Sequence, residues 1–287
     1  MSHSDPTTRD SEEEVPLAQG VTWSAISDVG RYRSTNEDAF LALRMDAREV
    51  RRLGKLGDGS LADGDFIFAV SDGMGGHNAG EFASRIAVEK ITELLPSAFR
   101  LDFQGIQKGA HDLLDQVFHE IHEEIKRLGE AYEEIAGMGA TLSLCWIGSE
   151  WMNFCHIGDS RIYYLPAAGG IKQISEDHTY VGWLEKTGKI TAAQARIHPK
   201  KNQLTQALTA TRRNIEVQVG AVGFEPGDRF VICSDGLYEG LSDPNIDHFV
   251  RTPPAHLADR TEAQRIVDES LLNSGKDNTT AVVVVIQ

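Results

Sequence analysis

Cysteine is scarce in this sequence, and the paired spacing of zinc and dithiol sites is absent. Three cysteines occur in 287 residues, Cys145, Cys155 and Cys233, each inside an apolar, strand-like run. An odd count without a C-x-x-C pair argues against a disulfide framework and against a zinc site. We expect the three thiols to be buried like small hydrophobic side chains, in a chain that works in a reducing cytoplasm.

Long hydrophobic runs are missing as well. No stretch approaches the roughly 18 apolar residues of a membrane span, and the first residues hold no apolar signal segment. The sequence therefore predicts no membrane partner.

Basic residues are outnumbered by acidic ones. The chain has 28 lysines and arginines against 43 aspartates and glutamates, and its formal net charge is −15. Because an acidic chain repels phosphate backbones, nucleic acid is not expected as a partner. The excess of carboxylates suits cation binding, although most of these groups must be solvated surface.

The residues that are present are typical of a soluble globular protein, with 41% hydrophobic and 25% charged residues. Residues 1–20 are polar and include the acidic run Glu12–Glu14, which predicts a disordered leader. The segment Arg44–Gly64 is also polar, and its glycines, such as Gly57 and Gly59, predict an exposed loop between two strands. The rest of the chain shows neither repeats nor a linker.

The predicted strands are of two kinds. Residues 141–146 alternate, with Leu142, Leu144 and Trp146 on one face of the strand. Other strands are apolar throughout and must therefore be covered on both faces; these are Phe66–Val70, Phe230–Cys233 and Ala281–Ile286.

Turns and helices complete the predicted architecture. Short turns at Gly148–Glu150 and near Gly158 join consecutive strands, which predicts antiparallel neighbours. Residues 80–95 and 106–128 each place their apolar side chains on one helical stripe, and a third helix is predicted at about 261–273. The fold class that follows is α+β, a four-layer α-β-β-α sandwich of two mainly antiparallel sheets packed face to face.

The most informative feature is the position of five aspartates at the ends or starts of predicted strands. In an antiparallel sandwich these strand ends share one edge, so we expect the carboxylates to converge there. Like charges within a few ångström raise each other's pKa, and a divalent cation relieves that repulsion. Oxygen ligands without histidine or cysteine suit Mg²⁺ or Mn²⁺. The five residues are Asp38, Asp72, Asp159, Asp235 and Asp277.

Each of these aspartates has a simpler interpretation when it is taken alone. A single Asp-Gly after a strand is usually only a turn. Taken alone, Asp159 is interpreted as an ordinary turn residue, with Arg161 on the surface. The joint placement favours a metal site. Gly73 and Gly236 support it, because a glycine after the aspartate lets the backbone approach a metal.

Arg33 is a further candidate, since it lies just upstream of Asp38. A guanidinium can grip two oxygens of a phosphate in a fork. The alternative is an exposed arginine with no function.

At this point the sequence resembles a known family, the protein phosphatase 2C (PPM-type) phosphatases. Seven short motifs occur in the family's order from about Val21 onward, and the Gly-Met-Gly-Gly-His form is typical of bacterial members. The motifs are Arg33-x-x-Asn36-Glu37-Asp38, Asp72-Gly73-Met74-Gly75-Gly76-His77, Gly139-Ala140-Thr141, Gly158-Asp159-Ser160-Arg161, Asp177-His178-Thr179, Ser234-Asp235-Gly236-Leu237 and Asp277-Asn278-Thr279.

The resemblance implies a binuclear Mn²⁺ or Mg²⁺ centre. Asp72 would bridge the two cations, and Gly73 would offer its backbone carbonyl to one of them. Asp235 and Asp277 would bind the other cation. Asp159, together with Asp235, would form a weaker third site.

The remaining roles also follow from the resemblance. Glu37 and Asp38 would orient metal-bound waters, and Arg33 would hold the substrate phosphate. Residues 21–287 would form the phosphatase domain, with a mobile flap at about 180–203 that borders the active site and influences substrate choice.

Three positions depart from the family's pattern. Met74 stands where animal members have a histidine, so the general acid is open, and a structural part is expected for His77. Gln206 and Thr209 stand where many relatives have arginine and glycine. These departures concern the flap and the acid, not the metal ligands.

The function that the resemblance implies is hydrolysis of phosphoserine and phosphothreonine monoesters by a metal-bridging hydroxide. Phosphorylated proteins are the expected partners, supplied by a serine/threonine kinase, and a cytoplasmic monomer is expected. The alternative is a catalytically silent phosphoprotein-binding module of the same fold, but every metal-ligand position is filled. An aspartyl-phosphate phosphatase fits badly, because Asp63-Gly64-Asp65 precedes its strand.

Overall fold

The structure is a computed structural model that describes residues 19–46, 48–76, 78–103 and 109–287. All but the last two residues of the predicted leader lie outside this described part, as does His77.

The strands within these residues are β1 (Gly20–Asp28), β2 (Asp38–Met45), β3 (Val50–Arg52), β4 (Leu56–Ser60), β5 (Asp65–Met74), β6 (Gly139–Ala140), β7 (Leu142–Ile147), β8 (Trp151–Ile157), β9 (Arg161–Leu165), β10 (Lys172–Gln173), β11 (Leu208–Thr209), β12 (Gln218–Gly223), β13 (Arg229–Cys233) and β14 (Thr279–Ile286). The α-helices are α1 (Asn78–Phe103), α2 (Ala110–Ala131), α3 (Tyr180–Lys186), α4 (Ala192–Ile197), α5 (Asp235–Gly240), α6 (Asp243–Arg251) and α7 (Glu262–Asn273).

The strands form two antiparallel sheets. Sheet I has the order β10-β9-β13-β14-β1-β4. Sheet II has the order β3-β2-β5-β7-β8-β12, and the short strands β6 and β11 extend it beside the end of β5. Helices α1 and α2 pack on sheet II, whereas α5 and α7 pack on sheet I. The prediction of an α+β sandwich with helices outside is confirmed.

Alternation along the strands explains why these sheets are covered on both faces. In β5, Phe66 and Phe68 point into the core between the sheets, and Ile67 and Ala69 point towards the helices on sheet II. Strand β14 does the same in sheet I, with Val282 and Val284 between the sheets and Val283 against the helices. Side chains of a strand alternate between faces, so each continuous apolar run supplies two cores.

The three cysteines are free and buried, as predicted. Burial raises the pKa of each thiol above its ordinary value. Among the described residues, none of the helices combines the length and the apolar character that crossing a membrane requires.

The prediction of a loop over Arg44–Gly64 is wrong. Strand β3 pairs with β2 in sheet II, and the chain then crosses to sheet I, where β4 pairs with β1 as an edge strand. The glycines mark close packing rather than turns. A Cβ atom on Gly57 would collide with the ring of Trp23, and one on Gly59 would lie 2.5 Å from Cζ of Phe66.

The turn near Gly158 also differs from its prediction. Strands β8 and β9, on either side of it, belong to different sheets, so this turn carries the chain from sheet II to sheet I. Gly158 adopts a φ of 109°, which favours glycine. By contrast, the turn at Gly148–Glu150 joins β7 and β8 as antiparallel neighbours, as predicted.

The glycines of β4 provide a test of this close packing. Gly59→Ala should lower the free energy of unfolding by about 1–3 kcal/mol, because the new methyl group overpacks the buried Phe66. Gly54→Ala is the matched control, since a Cβ there would meet nothing closer than 3.9 Å. Urea unfolding of both variants measures the difference, and equal free energies of unfolding would contradict the packing described for β4.

Candidate metal centre

Strand pairing in sheet II places the first two carboxylates together. Asp38 begins β2 and lies opposite Asp72, which stands near the end of β5. Thr141, at the break between β6 and β7, fixes the backbone of Asp72 on both sides. The Asp72 amide donates to Thr141 Oγ1 at 3.0 Å, and the Thr141 amide donates to the Asp72 carbonyl at 2.8 Å.

Sheet I and the crossover supply the other three carboxylates. Asp235 follows β13 as the first residue of α5, and Asp277 lies two residues before β14. Asp159 lies in the turn that passes from sheet II to sheet I and is buried. Asp72, Asp159, Asp235 and Asp277 all line one cleft of about 410 Å³, together with Glu37, Gly73 and Arg33.

Burial and mutual repulsion disfavour the ionised form of these carboxylates. The pKa of Asp72 is raised well above its ordinary value, first by burial and then by the charges of Asp38, Asp235 and Asp159. Burial is likewise the main cause of the raised pKa values of Asp38, Asp159 and Asp235. A cation in the cleft would reverse this effect, because it stabilises the ionised form.

Two buried carboxylate oxygens favour a cation, or a water held by a cation, at this end of the sheets. Among the described residues, Oδ1 of Asp38 and Oδ1 of Asp235 are buried without a hydrogen-bond partner. The second oxygen of Asp38 is satisfied, since Ser234 Oγ donates to it at 2.7 Å. A buried acceptor without a partner is costly, and a hard divalent cation is the natural partner of such an oxygen. The donors that line the cleft are oxygens, the ligand chemistry that Mn²⁺ and Mg²⁺ prefer.

Arg33 forms an ion pair with one of the candidate metal ligands, Asp277. Its Nη2 lies 2.6 Å from Oδ2 of Asp277, and its side chain is half-exposed at the rim of the cleft. This pairing raises the pKa of Arg33, with further contributions from Glu37 and Asp235. In this arrangement the described residues contain no group of three or more Asp, Glu, His or Cys side chains placed so that together they could hold a metal ion.

The loop that carries Arg33 is anchored by Asn278, a residue to which the sequence assigned no role. The Asn278 side chain donates to the carbonyls of Val29 and Thr35, each at 2.9 Å, and accepts from the Glu37 amide at 2.8 Å. The signals in the sequence that point to it are its position directly after Asp277 and its place in the motif Asp277-Asn278-Thr279.

The glycines that follow Asp72 and Asp235 are needed for packing. A Cβ atom on Gly73 would collide with the carbonyl of Gly80 in α1 and lie 2.8 Å from the carbonyl of Glu37. A Cβ atom on Gly236 would collide with the carbonyl of Asn278. Both aspartates are thus held at points where the backbones meet closely.

Arg161 is not the surface residue that its sequence position suggested. Its guanidinium is largely buried, pairs with Asp177 at 2.7 Å and lies 3.6 Å from the ring centroid of Tyr238. The hydroxyl of Tyr238 donates to the Asp159 carbonyl at 3.0 Å. Arg161 therefore supports the Asp159 turn through its contact with Tyr238. The sequence did not predict this role, because Asp177 and Tyr238 are distant from Arg161 in the chain.

The predicted flap, residues 180–203, borders this cleft and contains α3 and α4. Asn202 and the adjoining Leu204 line the cleft. The amide of His178, just before the flap, donates to the Gly158 carbonyl at 2.7 Å, so the base of the flap is attached to the Asp159 turn. Met74 also lines the cleft but offers no proton, and the general acid stays unassigned.

Comparison with known proteins supports the family that the sequence motifs resemble. The family model of protein phosphatase 2C matches residues 53–273. The serine/threonine protein phosphatase PstP of Mycobacterium tuberculosis is 32% identical over 246 residues, which are 85% of this chain and 45% of that protein. The chain thus spans less than half the length of that relative. Protein phosphatase PhpP of Streptococcus pneumoniae serotype 2 is 31% identical over 261 residues, covering 91% of this chain and 96% of that protein.

A solved structure extends the likeness to the fold. The crystal structure of the PstP catalytic domain in complex with two manganese ions has a TM-score of 0.70 and 28% identity to this chain, and the match covers 93% of this chain and 98% of that one. Family model, relatives and fold agree, and the chain belongs to the protein phosphatase 2C family.

Proposed function

We propose that the protein is a metal-dependent protein serine/threonine phosphatase that hydrolyses phosphoserine and phosphothreonine monoesters. The observation that carries the proposal is the convergence of carboxylates from both sheets on one cleft, with two buried carboxylate oxygens that have no hydrogen-bond partner among the described residues. The serine/threonine phosphatases among its relatives support the reaction class.

The cations would be Mn²⁺ or Mg²⁺. Asp72, the Gly73 carbonyl, Asp235 and Asp277 would hold two of them, and Asp159 with Asp235 would hold a weaker third. The two manganese ions of the PstP catalytic domain support this assignment. When bound, the cations supply Lewis-acid stabilisation of phosphoryl oxygens and lower the pKa of water.

The chain's own residues bind and orient the substrate. Arg33 stands at the rim of the cleft, where its fork of donors is suited to two phosphate oxygens. In the structure only its Nη2 is paired with Asp277, at 2.6 Å, so its other donors are available to a phosphate. A shift of the Arg33 side chain towards a phosphate would also leave Oδ2 of Asp277 available to a cation.

Asp38 and Glu37 are proposed to orient water in the cleft. Ser234 fixes one oxygen of Asp38 and leaves Oδ1 as an acceptor without a partner among the described residues. The Glu37 backbone is held at both ends, because its amide donates to Asn278 and its carbonyl accepts from the Gly73 amide. A water that donates to Asp38 Oδ1 would have a fixed orientation towards a bound phosphate.

The wider setting also remains a proposal. Phosphorylated proteins are the proposed partners, with a serine/threonine kinase as their source, and the proposed working form is a cytoplasmic monomer in which residues 21–287 form one domain. The three buried, free thiols support a reducing compartment.

The first prediction from the proposed function concerns metal removal. Hydrolysis of a phosphothreonine peptide should stop in EDTA and return when Mn²⁺ is added in excess, because the carboxylates need cations to act. The measurement is phosphate release by protein whose circular dichroism shows that it is folded. Folded protein that hydrolyses nothing with either Mn²⁺ or Mg²⁺ would favour a silent binding module.

The second prediction separates a metal ligand from a structural aspartate. Asp72→Asn should lower kcat by at least about 10³-fold, or about 4 kcal/mol at 1.4 kcal/mol per tenfold. In EDTA the same variant should unfold at a temperature equal to or above that of the wild type, because it removes a repelled, buried carboxylate. The exposed Asp58→Asn on β4 is the control and should change neither quantity.

The outcome that contradicts a ligand role for Asp72 is loss of folding in EDTA. A variant that unfolds without metal while the wild type stays folded would identify Asp72 as a structural residue.

The third prediction concerns Arg33. Arg33→Ala should raise the KM for p-nitrophenyl phosphate roughly tenfold, about 1.4 kcal/mol, with a smaller effect on kcat, because it removes donors to the bound phosphate. Arg51→Ala, on an exposed edge strand, is the matched control. An unchanged KM in the Arg33 variant would refute the phosphate-binding role.

A further inference from the structure

The flap differs in charge from the rest of the protein. Between Tyr180 and Gln203 there are five lysines and arginines and one acidic residue, Glu185, whereas the whole chain has a net charge of −15. The basic residues are Lys186, Lys189, Arg196, Lys200 and Lys201. A concentration of positive charge in an otherwise acidic chain gives this segment a local field of its own.

Two of these cations are used within the protein. Lys186 pairs with Glu176 before the flap, and Lys201 pairs with Glu239 in α5. These pairs connect the flap to its surroundings and neutralise their own charge.

Two others, Lys189 and Lys200, form no ion pair with the described part of the chain. Lys189 Nζ lies 4.0 Å from the ring centroid of Trp183, and Lys200 Nζ lies 5.1 Å from that of Tyr180. An aromatic face positions an ammonium group without cancelling its charge. Both lysines are exposed, so their charge acts on whatever approaches the flap.

Apolar groups are exposed beside these cations. Trp183 is 47% exposed, and Ile197, next to the exposed Arg196 at the end of α4, is 84% exposed. A surface with both exposed apolar side chains and cations is suited to a peptide, which offers both kinds of group, rather than to a small anion. We call Lys189, Arg196 and Lys200, with Trp183 and Ile197, the basic flap surface.

Arg196 links the basic flap surface to the metal cleft. A second cleft of about 520 Å³ runs between the flap and α5, and Arg196 lines it. Asp159 and Asp235 line both this cleft and the metal cleft, so the two are continuous. A peptide with its phosphate among the carboxylates would therefore extend along the flap.

Three of the acidic residues that line the second cleft are engaged by other side chains of the protein. Asp177 is paired with Arg161, and Glu239 is paired with Lys201. Asp243 accepts a hydrogen bond from the Tyr163 hydroxyl at 3.2 Å. Asp243, whose side chain is 36% exposed, also lies 4.0 Å from the Arg161 guanidinium. These three carboxylates are thus engaged by other side chains, whereas Arg196 is exposed.

We propose that the basic flap surface binds acidic residues that flank the phosphorylated residue of a protein substrate. The proposal rests on the proposed phosphatase function and specifies its substrate class. It makes a prediction opposite to that of the protein's overall charge, because a chain of net charge −15 would otherwise favour basic substrates.

The test compares two phosphothreonine peptides of equal length, one flanked by glutamates and one by glutamines. The wild type should show about fivefold higher kcat/KM for the glutamate peptide at low ionic strength, as expected for two or three exposed charge contacts. High salt should reduce the preference, since exposed charges are screened. Equal kcat/KM for the two peptides would overturn the proposal.

A charge-reversed variant assigns the preference to the flap. Arg196→Glu/Lys200→Glu should lose or invert the preference and leave p-nitrophenyl phosphate hydrolysis unchanged, which shows that the metal centre is intact. Arg51→Glu/Arg52→Glu is the matched control, because it makes the same charge change on β3, at the end of β2 away from Asp38. An equal loss of preference in both variants would attribute it to overall charge and contradict the proposal.

Two further outcomes separate this inference from others. If the wild type with Mn²⁺ hydrolyses neither peptide nor p-nitrophenyl phosphate, the phosphatase function itself fails, whereas turnover without preference refutes only the flap's role. Flotation with phosphatidylserine-containing vesicles should show no binding that depends on Arg196 and Lys200. Such binding, without a peptide preference, would assign the surface to a membrane instead.

Discussion

The structure depends on one electrostatic constraint, the burial of several carboxylates at a single end of two packed sheets. Burial and mutual repulsion raise the pKa values of Asp38, Asp72, Asp159 and Asp235, so that the folded chain holds these groups at a cost. Two of their oxygens lack partners among the described residues. Divalent cations would offset this electrostatic cost, and the proposed metal-dependent function follows from that.

Polar contacts at the same end keep the cluster in place. Ser234, directly after β13 of sheet I, donates to Asp38 in sheet II, and Thr141, between β6 and β7, fixes the backbone of Asp72. Asn278 holds the loop that presents Arg33. The apolar core between the sheets sets their spacing, and these hydrogen bonds set the orientation of the carboxylates. The orientation of the carboxylates therefore depends on hydrogen bonds at the strand ends. The flap beside them supplies the basic surface that we propose binds acidic residues of the substrate.

The sequence predicted much of this arrangement because the relevant signals are local. Continuous apolar runs such as 66–70 identify strands that are buried on both faces, and aspartates at strand ends identify a shared edge. Where the pattern misled, the cause was a distant contact. Gly57 and Gly59 resembled loop residues because their partners, Trp23 and Phe66, belong to other strands. The roles of Arg161 and Asn278 likewise depend on residues far away in the chain.

The most direct test of this account is a count of bound metal. Purified protein is stripped with EDTA, dialysed against Mn²⁺, and its metal content is measured by mass spectrometry. The account predicts two tightly bound Mn²⁺ ions per chain, with a third only at higher concentration. A folded chain that retains no Mn²⁺ above the level of the dialysis buffer would contradict the claim that the carboxylate cluster exists to hold cations.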